Sequence, residues 1–161
     1  MRLPKIIIFD VGGTLIKGIW NDSILGYKYL YDEILDVRES LDDYLAFVTG
    51  MFPVIKQRET CDLEFSFHSF FNYLNDVYGL KSDLPYEEIE YKFARCFYEP
   101  ILNDHVIELL DYLKSLNIPL YVLSNSMYST SCVEKELIEL GIRDYFELVI
   151  SSGDHLVRKP S

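Results

Sequence analysis

Three short segments of the chain carry residue types that could transfer a phosphoryl or related group. FDVGGTL contains Asp10 after an apolar run, VLSNS contains Ser124 after another, and RKP supplies Lys159. A carboxylate can attack a phosphorus or carbon centre as a nucleophile. That chemistry also needs hydrogen-bond donors for the oxygens of the group and a cation to neutralise their charge. The three segments contain these parts, provided that the fold brings them together.

Each segment lies at or soon after the end of a predicted strand. The strands are short apolar runs without alternation: KIIIFD (5–10), PLYVLS (119–124) and ELVIS (147–151). Such runs are typical of strands covered on both faces of a parallel sheet. Residues 103–118 and 129–141 show the apolar spacing of amphipathic helices. This alternation predicts a doubly wound α/β sheet, in which functional residues gather at the carboxyl ends of the strands.

The long segment between the first strand and the first of these helices does not follow this alternation. It contains four stretches with helical apolar spacing, at about 23–35, 39–52, 64–79 and 86–98. About 80 residues are too many for a connecting loop. We therefore predict a core formed by residues 1–16 and 100–161, with a helical cap at residues 17–99 inserted after the first strand.

The glycine turn in FDVGGTLIKG has a second interpretation. In a sugar-kinase-type ATPase, a strand runs through Asp-x-Gly-Gly-Thr and returns as a second strand that cradles phosphate. TLIKGIW could continue as such a strand, but the chain then becomes helical and no second Asp-x-Gly follows. A fragment of a sugar-kinase-type ATPase therefore remains an alternative to the nucleophile loop.

Taken together, the three segments resemble the motifs of the haloacid dehalogenase superfamily. FDVGGTL resembles its first motif, VLSNS its second and RKP its third, and the helical insert lies where that family places its cap. The resemblance implies a partial Rossmann-like α/β core and a hydrolase of small phosphorylated metabolites. It implies that Asp10 forms a covalent aspartyl intermediate, that Ser124 and Asn125 bind the phosphoryl or carboxylate group, and that Lys159 offsets the negative charge.

The same resemblance implies roles for the glycine turn and for a metal ion. Thr14 would brace the loop, while Gly12 and Gly13 would let the backbone approach the substrate closely. In phosphatases of this family, Mg²⁺ would be held by the Asp10 carboxylate, the carbonyl of Gly12 and an acidic fourth motif that this sequence lacks. A hard cation with oxygen ligands suits a phosphate substrate.

Position 12 departs from the phosphatase pattern. Most phosphatases of the superfamily have an aspartate two residues after the nucleophile, which acts as a general acid and base. Such catalysis raises the reaction rate roughly 100- to 10,000-fold. Here that residue is Gly12. Dehalogenases and phosphonate hydrolases of the family also lack the acid, so either activity is an alternative. The dehalogenase position usually carries tyrosine, and no single cap arginine stands out among Arg38, Arg58 and Arg95.

The end of the sequence is the second departure. The chain stops at Ser161, before any strand that carries an acidic fourth motif. We expect a fragment of a longer hydrolase that is weak or inactive by itself, with an unpaired sheet edge through which it could self-associate. A non-catalytic remnant that binds a partner through its cap is a further alternative.

Composition narrows the range of partners. A formal net charge of -11 argues against nucleic acid and anionic membranes, because such a field repels polyanions, but it allows a small anionic substrate. Three widely separated cysteines favour reduced thiols and a cytoplasmic setting. No run approaches the roughly 20 apolar residues of a membrane span.

Overall fold

The α/β class predicted from the sequence is confirmed. The computed structural model describes residues 4–160, apart from the side chain of Glu59. Residues 1–3 and Ser161, which belong to the predicted core segments, lie outside the described residues. The strands are β1 (Ile7–Phe9), β2 (Ile16–Trp20), β3 (Tyr98–Leu102), β4 (Leu120–Ser124) and β5 (Leu148–Ser151). The helices are α1 (Ile24–Tyr29), which continues as a π-helix (Leu30–Ile34), α2 (Leu41–Thr49), α3 (Phe52–Glu59), α4 (Phe67–Tyr78), α5 (Tyr86–Phe97), α6 (Val106–Ser115), α7 (Thr130–Glu139) and α8 (Ser152–His155).

The core sheet is parallel and has the strand order β1-β4-β5. Alternate strand residues such as Leu120 and Val122 are buried against Leu110 of α6 and Leu137 of α7. These helices connect the strands, as the sequence predicted. The sheet therefore places the residues that follow β1 and those at the end of β4 beside each other at one edge.

The prediction that these strands are covered on both faces is wrong for the described residues. Ile8 of β1 is 56% exposed and Leu148 of β5 is 50% exposed. A continuous apolar run shows that a strand can be buried, but it does not show what covers it. Among residues 4–160, β1 pairs with β4 alone. Self-association through this edge therefore stays a prediction.

The segment predicted as a cap, for which we keep that name, has its own hydrophobic core, which is rich in aromatic residues. Tyr44 of α2, Phe67 of α4 and Phe93 of α5 are fully buried in it. Helix α3 lies almost entirely outside the four predicted helical stretches, in a segment where Pro53 can also signal a turn. Proline is tolerated in the first turn of a helix, where its missing N–H would have no partner, and Pro53 occupies that turn.

An antiparallel ladder joins the cap to the core. Ile16 of β2 pairs with Leu102 of β3, and Trp20 pairs with Tyr98 at the other end of the ladder. The insert predicted as helical therefore begins and ends in strands. The predicted boundaries at 16/17 and 99/100 fall inside this ladder. Within TLIKGIW, Ile16–Trp20 form a strand, as the kinase interpretation required, but that strand pairs with β3.

Within residues 4–160, none of the helices has both the length and the apolar character needed to cross a membrane.

Candidate active site

Asp10 and Lys159 form an ion pair at the carboxyl edge of the sheet. Asp10 follows β1 directly, and the Lys159 Nζ atom lies 2.5 Å from its Oδ1 atom. The same ammonium group donates to the carbonyl of Leu123, in β4, at 2.7 Å. Lys159 therefore bridges the ends of two neighbouring parallel strands. The Asp10 side chain is 41% exposed, so a small molecule can reach it.

The segment after Asp10 forms a tight turn before β2. The carbonyl of Val11 accepts from the N–H groups of Thr14 and Leu15, at 3.2 and 2.9 Å. Gly13 has a φ of +76°, which an L side chain rarely adopts. Gly12 has an ordinary φ, and a Cβ atom added there would meet nothing within 4 Å. Glycine is thus required by conformation at position 13, while position 12 has room for a side chain.

The other predicted residues of this turn and of the second motif have different surroundings. Thr14 is exposed, and its carbonyl accepts from the Asn103 amide at 2.9 Å. Ser124 is buried at the end of β4. The side chain of Asn125 accepts from the Lys159 N–H at 2.8 Å and donates to its carbonyl at 3.3 Å. That amide therefore fixes the backbone that carries the lysine.

A cavity of about 520 Å³ opens beside this edge. Its lining includes the glycine turn and the second motif, through Gly12, Gly13, Ser124 and Asn125. It extends along the β2–β3 ladder to Trp20, Tyr91, Arg95, Tyr98 and Glu136. Because a strand rises about 3.3 Å per residue, Trp20 lies about 13 Å beyond Ile16 along β2. We call this far part of the cavity, with Arg95 and Glu136, the distal end.

The distal end contains ionisable groups that the sequence did not suggest. Glu136 of α7 is buried and accepts a hydrogen bond from the Tyr98 hydroxyl at 2.5 Å. Burial raises the pKa of the Glu136 carboxyl, although the Tyr98 hydrogen bond and Arg95 oppose this change. A single glutamate in an amphipathic helix gives no sequence signal of burial. The burial of Glu136 becomes evident only in the tertiary structure, where the β2–β3 ladder packs on α7.

A second ion pair, in which the carboxylate is buried, supports the segment that carries Lys159. Arg158 Nη1 lies 2.9 and 3.0 Å from the two carboxylate oxygens of Glu64, a residue in the cap loop between α3 and α4. The Ser152 hydroxyl donates to Glu64 at 2.6 Å, and the Glu64 N–H donates to the carbonyl of Leu156 at 3.0 Å. The cap thus holds the lysine segment through side-chain and backbone contacts.

The donor atoms for a hard cation at this edge are few. Among residues 4–160, no group of three or more His, Cys, Asp and Glu side chains is placed to hold a metal ion. The Asp10 carboxylate and the Gly12 carbonyl are oxygens of the type that Mg²⁺ takes. The donor type therefore suits Mg²⁺, while most of its coordination shell would be water or phosphate.

Comparison with known proteins gives the family and the fold. A family model described as haloacid dehalogenase-like hydrolase matches residues 4–161. The chain is similar to the structure of a HAD-superfamily hydrolase from Ehrlichia chaffeensis, with 23% identity and a TM-score of 0.50, over 100% of this chain and 68% of that chain. It is also similar to a predicted phosphoglycolate phosphatase from Haemophilus somnus 129PT, with 22% identity and a TM-score of 0.49, over 97% of this chain and 66% of that chain.

An uncharacterized protein from Listeria monocytogenes serotype 4b is 28% identical, with a TM-score of 0.36, over 42% of this chain and 38% of that chain. No curated protein matches the chain. The chain thus spans about two thirds of the length of the Ehrlichia and Haemophilus proteins, and 38% of the Listeria protein.

Proposed function

Because this chain belongs to the haloacid dehalogenase-like hydrolases, we propose that it hydrolyses small phosphorylated metabolites through an aspartyl-phosphate on Asp10. The observation that carries the proposal is the contact between Asp10 and Lys159, with Ser124 at the end of the neighbouring strand. A nucleophile, a cation and a hydroxyl donor thereby lie at one open edge of the sheet. These are the parts that attack on a phosphoryl group requires.

In the proposed reaction, the carboxylate of Asp10 attacks phosphorus. Lys159 contacts Oδ1, which leaves Oδ2 as the attacking atom. A bond forms between Oδ2 and phosphorus, the bond from phosphorus to the ester oxygen breaks, and the leaving group departs with its electron pair. Water then attacks phosphorus and the bond between Oδ2 and phosphorus breaks, which releases inorganic phosphate and restores the Asp10 carboxylate. The proton that the water loses passes to solvent, where the departed leaving group is protonated.

The surrounding residues hold the transferred group in place. The Ser124 hydroxyl and the backbone of the glycine turn would donate to the phosphoryl oxygens, and Lys159 would offset the charge that these oxygens add. The Asn125 side chain acts on the reaction through Lys159, whose backbone it holds. When bound, Mg²⁺ would supply further neutralisation of the phosphoryl charge, and Asp10 with the Gly12 carbonyl would hold it.

A dehalogenase or phosphonate hydrolase is the second candidate. Of the three cap arginines considered from the sequence, only Arg95 lines the cavity within the described part of the chain. Arg95 lies at the distal end, away from the atom that Asp10 would attack. Dehalogenation needs no proton on the departing halide, so it would not need an acid at position 12, where the chain has glycine. Release of halide from a 2-haloacid, measured beside phosphate release, separates the two activities.

The test is hydrolysis of p-nitrophenyl phosphate in the presence of Mg²⁺ by the wild-type chain and by Asp10→Asn. We expect turnover that is lost in Asp10→Asn and kept in Asp83→Asn, which makes the same change at an exposed cap position. Acid quenching during turnover should trap phosphate on the peptide that contains Asp10. Equal behaviour of the wild type and Asp10→Asn would instead support a non-catalytic protein that binds a partner through its cap.

A further inference from the structure

The cavity beside the glycine turn is larger than a phosphate group requires. Its volume of about 520 Å³ lies within the range of roughly 300–1,000 Å³ that is typical of sites for drug-sized ligands. Gly12, Gly13 and Ser124 border only part of it. The remaining volume, along the β2–β3 ladder, can hold the organic part of a substrate, which becomes the leaving group.

The walls of this remaining volume are rich in aromatic side chains. Trp20, Tyr91, Tyr98 and Tyr128 all line it. Trp20 is 76% exposed, and its ring centroid lies 5.3 Å from that of Tyr98 in a tilted arrangement. Aromatic rings pair favourably with other rings, in offset or edge-to-face geometry. A largely exposed tryptophan at the rim of a cavity therefore favours a ligand that contains a flat ring.

Arg95 at the distal end has unused hydrogen-bonding capacity. Its side chain is 27% exposed, and its Nη1 atom is buried with no hydrogen-bond partner among residues 4–160. The carboxylates of Glu136 and Glu139 lie 3.9 and 3.8 Å from its terminal nitrogens, which is beyond hydrogen-bond distance. A guanidinium group carries five N–H donors, so Arg95 can donate to a ligand.

The charge around Arg95 limits which acceptor would bind there. The Glu139 carboxylate already faces the single positive charge of Arg95, and the buried carboxyl of Glu136 lies beside the same guanidinium group. A carboxylate on the ligand would add a third acidic group to this corner. An uncharged acceptor, such as an amide carbonyl, would accept from Arg95 without that repulsion.

We propose that the cavity binds an aromatic leaving group that carries an uncharged hydrogen-bond acceptor, and that Arg95 donates to this acceptor. The inference rests on the proposed function, and it narrows the substrate to phosphate esters of substituted phenols. Gly12 agrees with this class. Without an acid at position 12, the ester oxygen must leave largely unprotonated, and phenols are better leaving groups than alcohols.

Non-hydrolysable phosphonates test the binding preference directly. Trp20 is the only tryptophan of the chain, so its fluorescence reports occupation of the cavity. We would titrate the 161-residue chain with propyl-, phenyl-, 4-carboxyphenyl- and 4-carbamoylphenylphosphonate, and with a homologue whose carbamoyl group is on an ethylene spacer. Free tryptophan corrects for absorption by the ligands.

Phenylphosphonate should bind more tightly than propylphosphonate. At least one carbamoyl ligand should bind roughly ten- to a hundredfold more tightly than phenylphosphonate, which is the usual net effect of a hydrogen bond that involves a charged group. The carboxyphenyl ligand should bind no more tightly than phenylphosphonate. In Arg95→Met the carbamoyl preference should disappear. It should persist in Lys92→Met, which removes an exposed cation from the same helix.

Three results would overturn the inference: equal binding of propyl- and phenylphosphonate, no carbamoyl preference in the wild type, or a preference that survives in Arg95→Met. The ligand series on the wild type decides the matter even if Arg95→Met does not fold. The phosphonates bind without turnover. Absence of hydrolysis that depends on Asp10, with the binding order intact, would therefore refute the proposed function and leave only the binding preference of the cavity standing.

Discussion

Glu64 in the cap is bound through both carboxylate oxygens to Arg158, the residue that immediately precedes Lys159. Glu64 is only 2% exposed, whereas the Arg158 side chain is 26% exposed. Because Lys159 contacts Asp10, one short segment links the cap to the ion pair of the candidate active site. The position of the lysine thus depends on how the cap docks.

Arg158→Met should destabilise the fold strongly, because it leaves the Glu64 carboxylate buried without its charge partner. Breaking a buried pair in this way costs about 3–5 kcal/mol of unfolding free energy. The double variant Arg158→Met with Glu64→Gln should recover part of this loss, since no buried charge remains. Urea denaturation of the wild type and of both variants measures these changes in the free energy of unfolding.

The exposed pair of Lys17 and Asp104 provides the control for this experiment. Lys17→Met should change stability little, because solvent screens that pair. If Arg158→Met lowered the free energy of unfolding no more than Lys17→Met does, the link between cap and core would not depend on the pair of Glu64 and Arg158.

Gly12→Asp should make the rate less dependent on the leaving group. In the wild type we expect aryl and acyl phosphates to be cleaved much faster than sugar phosphates or alkyl esters, because no acid protonates the departing oxygen. The structure leaves open space at the Gly12 Cβ position. A carboxyl group there should raise the rate for alkyl esters by up to roughly 100- to 10,000-fold.

The measurement is hydrolysis across phosphate esters of graded leaving-group pKa. Gly12→Asn serves as the control, because it has nearly the same size but no carboxyl group, and its dependence should stay steep. A shallow dependence in the wild type would show that another residue already supplies the acid.

The 161-residue chain should bind Mg²⁺ weakly in the absence of phosphate. Asp10 and one carbonyl provide too few oxygens to displace much water from an ion that dehydrates reluctantly. Calorimetric titration of the wild type and of Asp10→Asn with MgCl₂ should therefore give nearly the same small heats. A tight, stoichiometric site in the monomer that is lost in Asp10→Asn would contradict this expectation.

Glu136 should make the fold less stable as the pH rises. Because burial raises its pKa above the ordinary value of 4.5, the folded state retains a proton that the unfolded chain has lost. The free energy of unfolding therefore falls from about pH 4.5 upward, until the folded carboxyl has also ionised. Glutamine is neutral throughout, so Glu136→Gln should lose less stability than the wild type as the pH rises above about 4.5.

Denaturation at several pH values measures this difference. Glu147→Gln is the matched control, because Glu147 is exposed, and its pH dependence should follow that of the wild type. If the free energy of unfolding changed with pH in the same way for the wild type and Glu136→Gln, the buried carboxyl would not remain protonated in the folded state.

The sequence was sufficient to predict the α/β core. Its strands are short apolar runs, and the amphipathic helices between them require parallel strands. Parallel strands place their carboxyl ends at one edge, so Asp10 and Ser124 could be assigned to neighbouring positions from chain order alone. Helix α3 was less predictable, because Pro53 can begin a helix as well as end one.

The sequence by itself thus determined which residues could reach the edge of the sheet, because the period of a strand and the order of the elements are local properties. Only the tertiary structure decided what surrounds that edge. The β2–β3 ladder joins residues far apart in the chain, and Glu136 meets Tyr98 only because this ladder docks on α7. Likewise, Glu64 and Arg158 carry no local signal of pairing. Burial and pairing of single charged side chains depend on long-range packing, which short-range patterns do not encode.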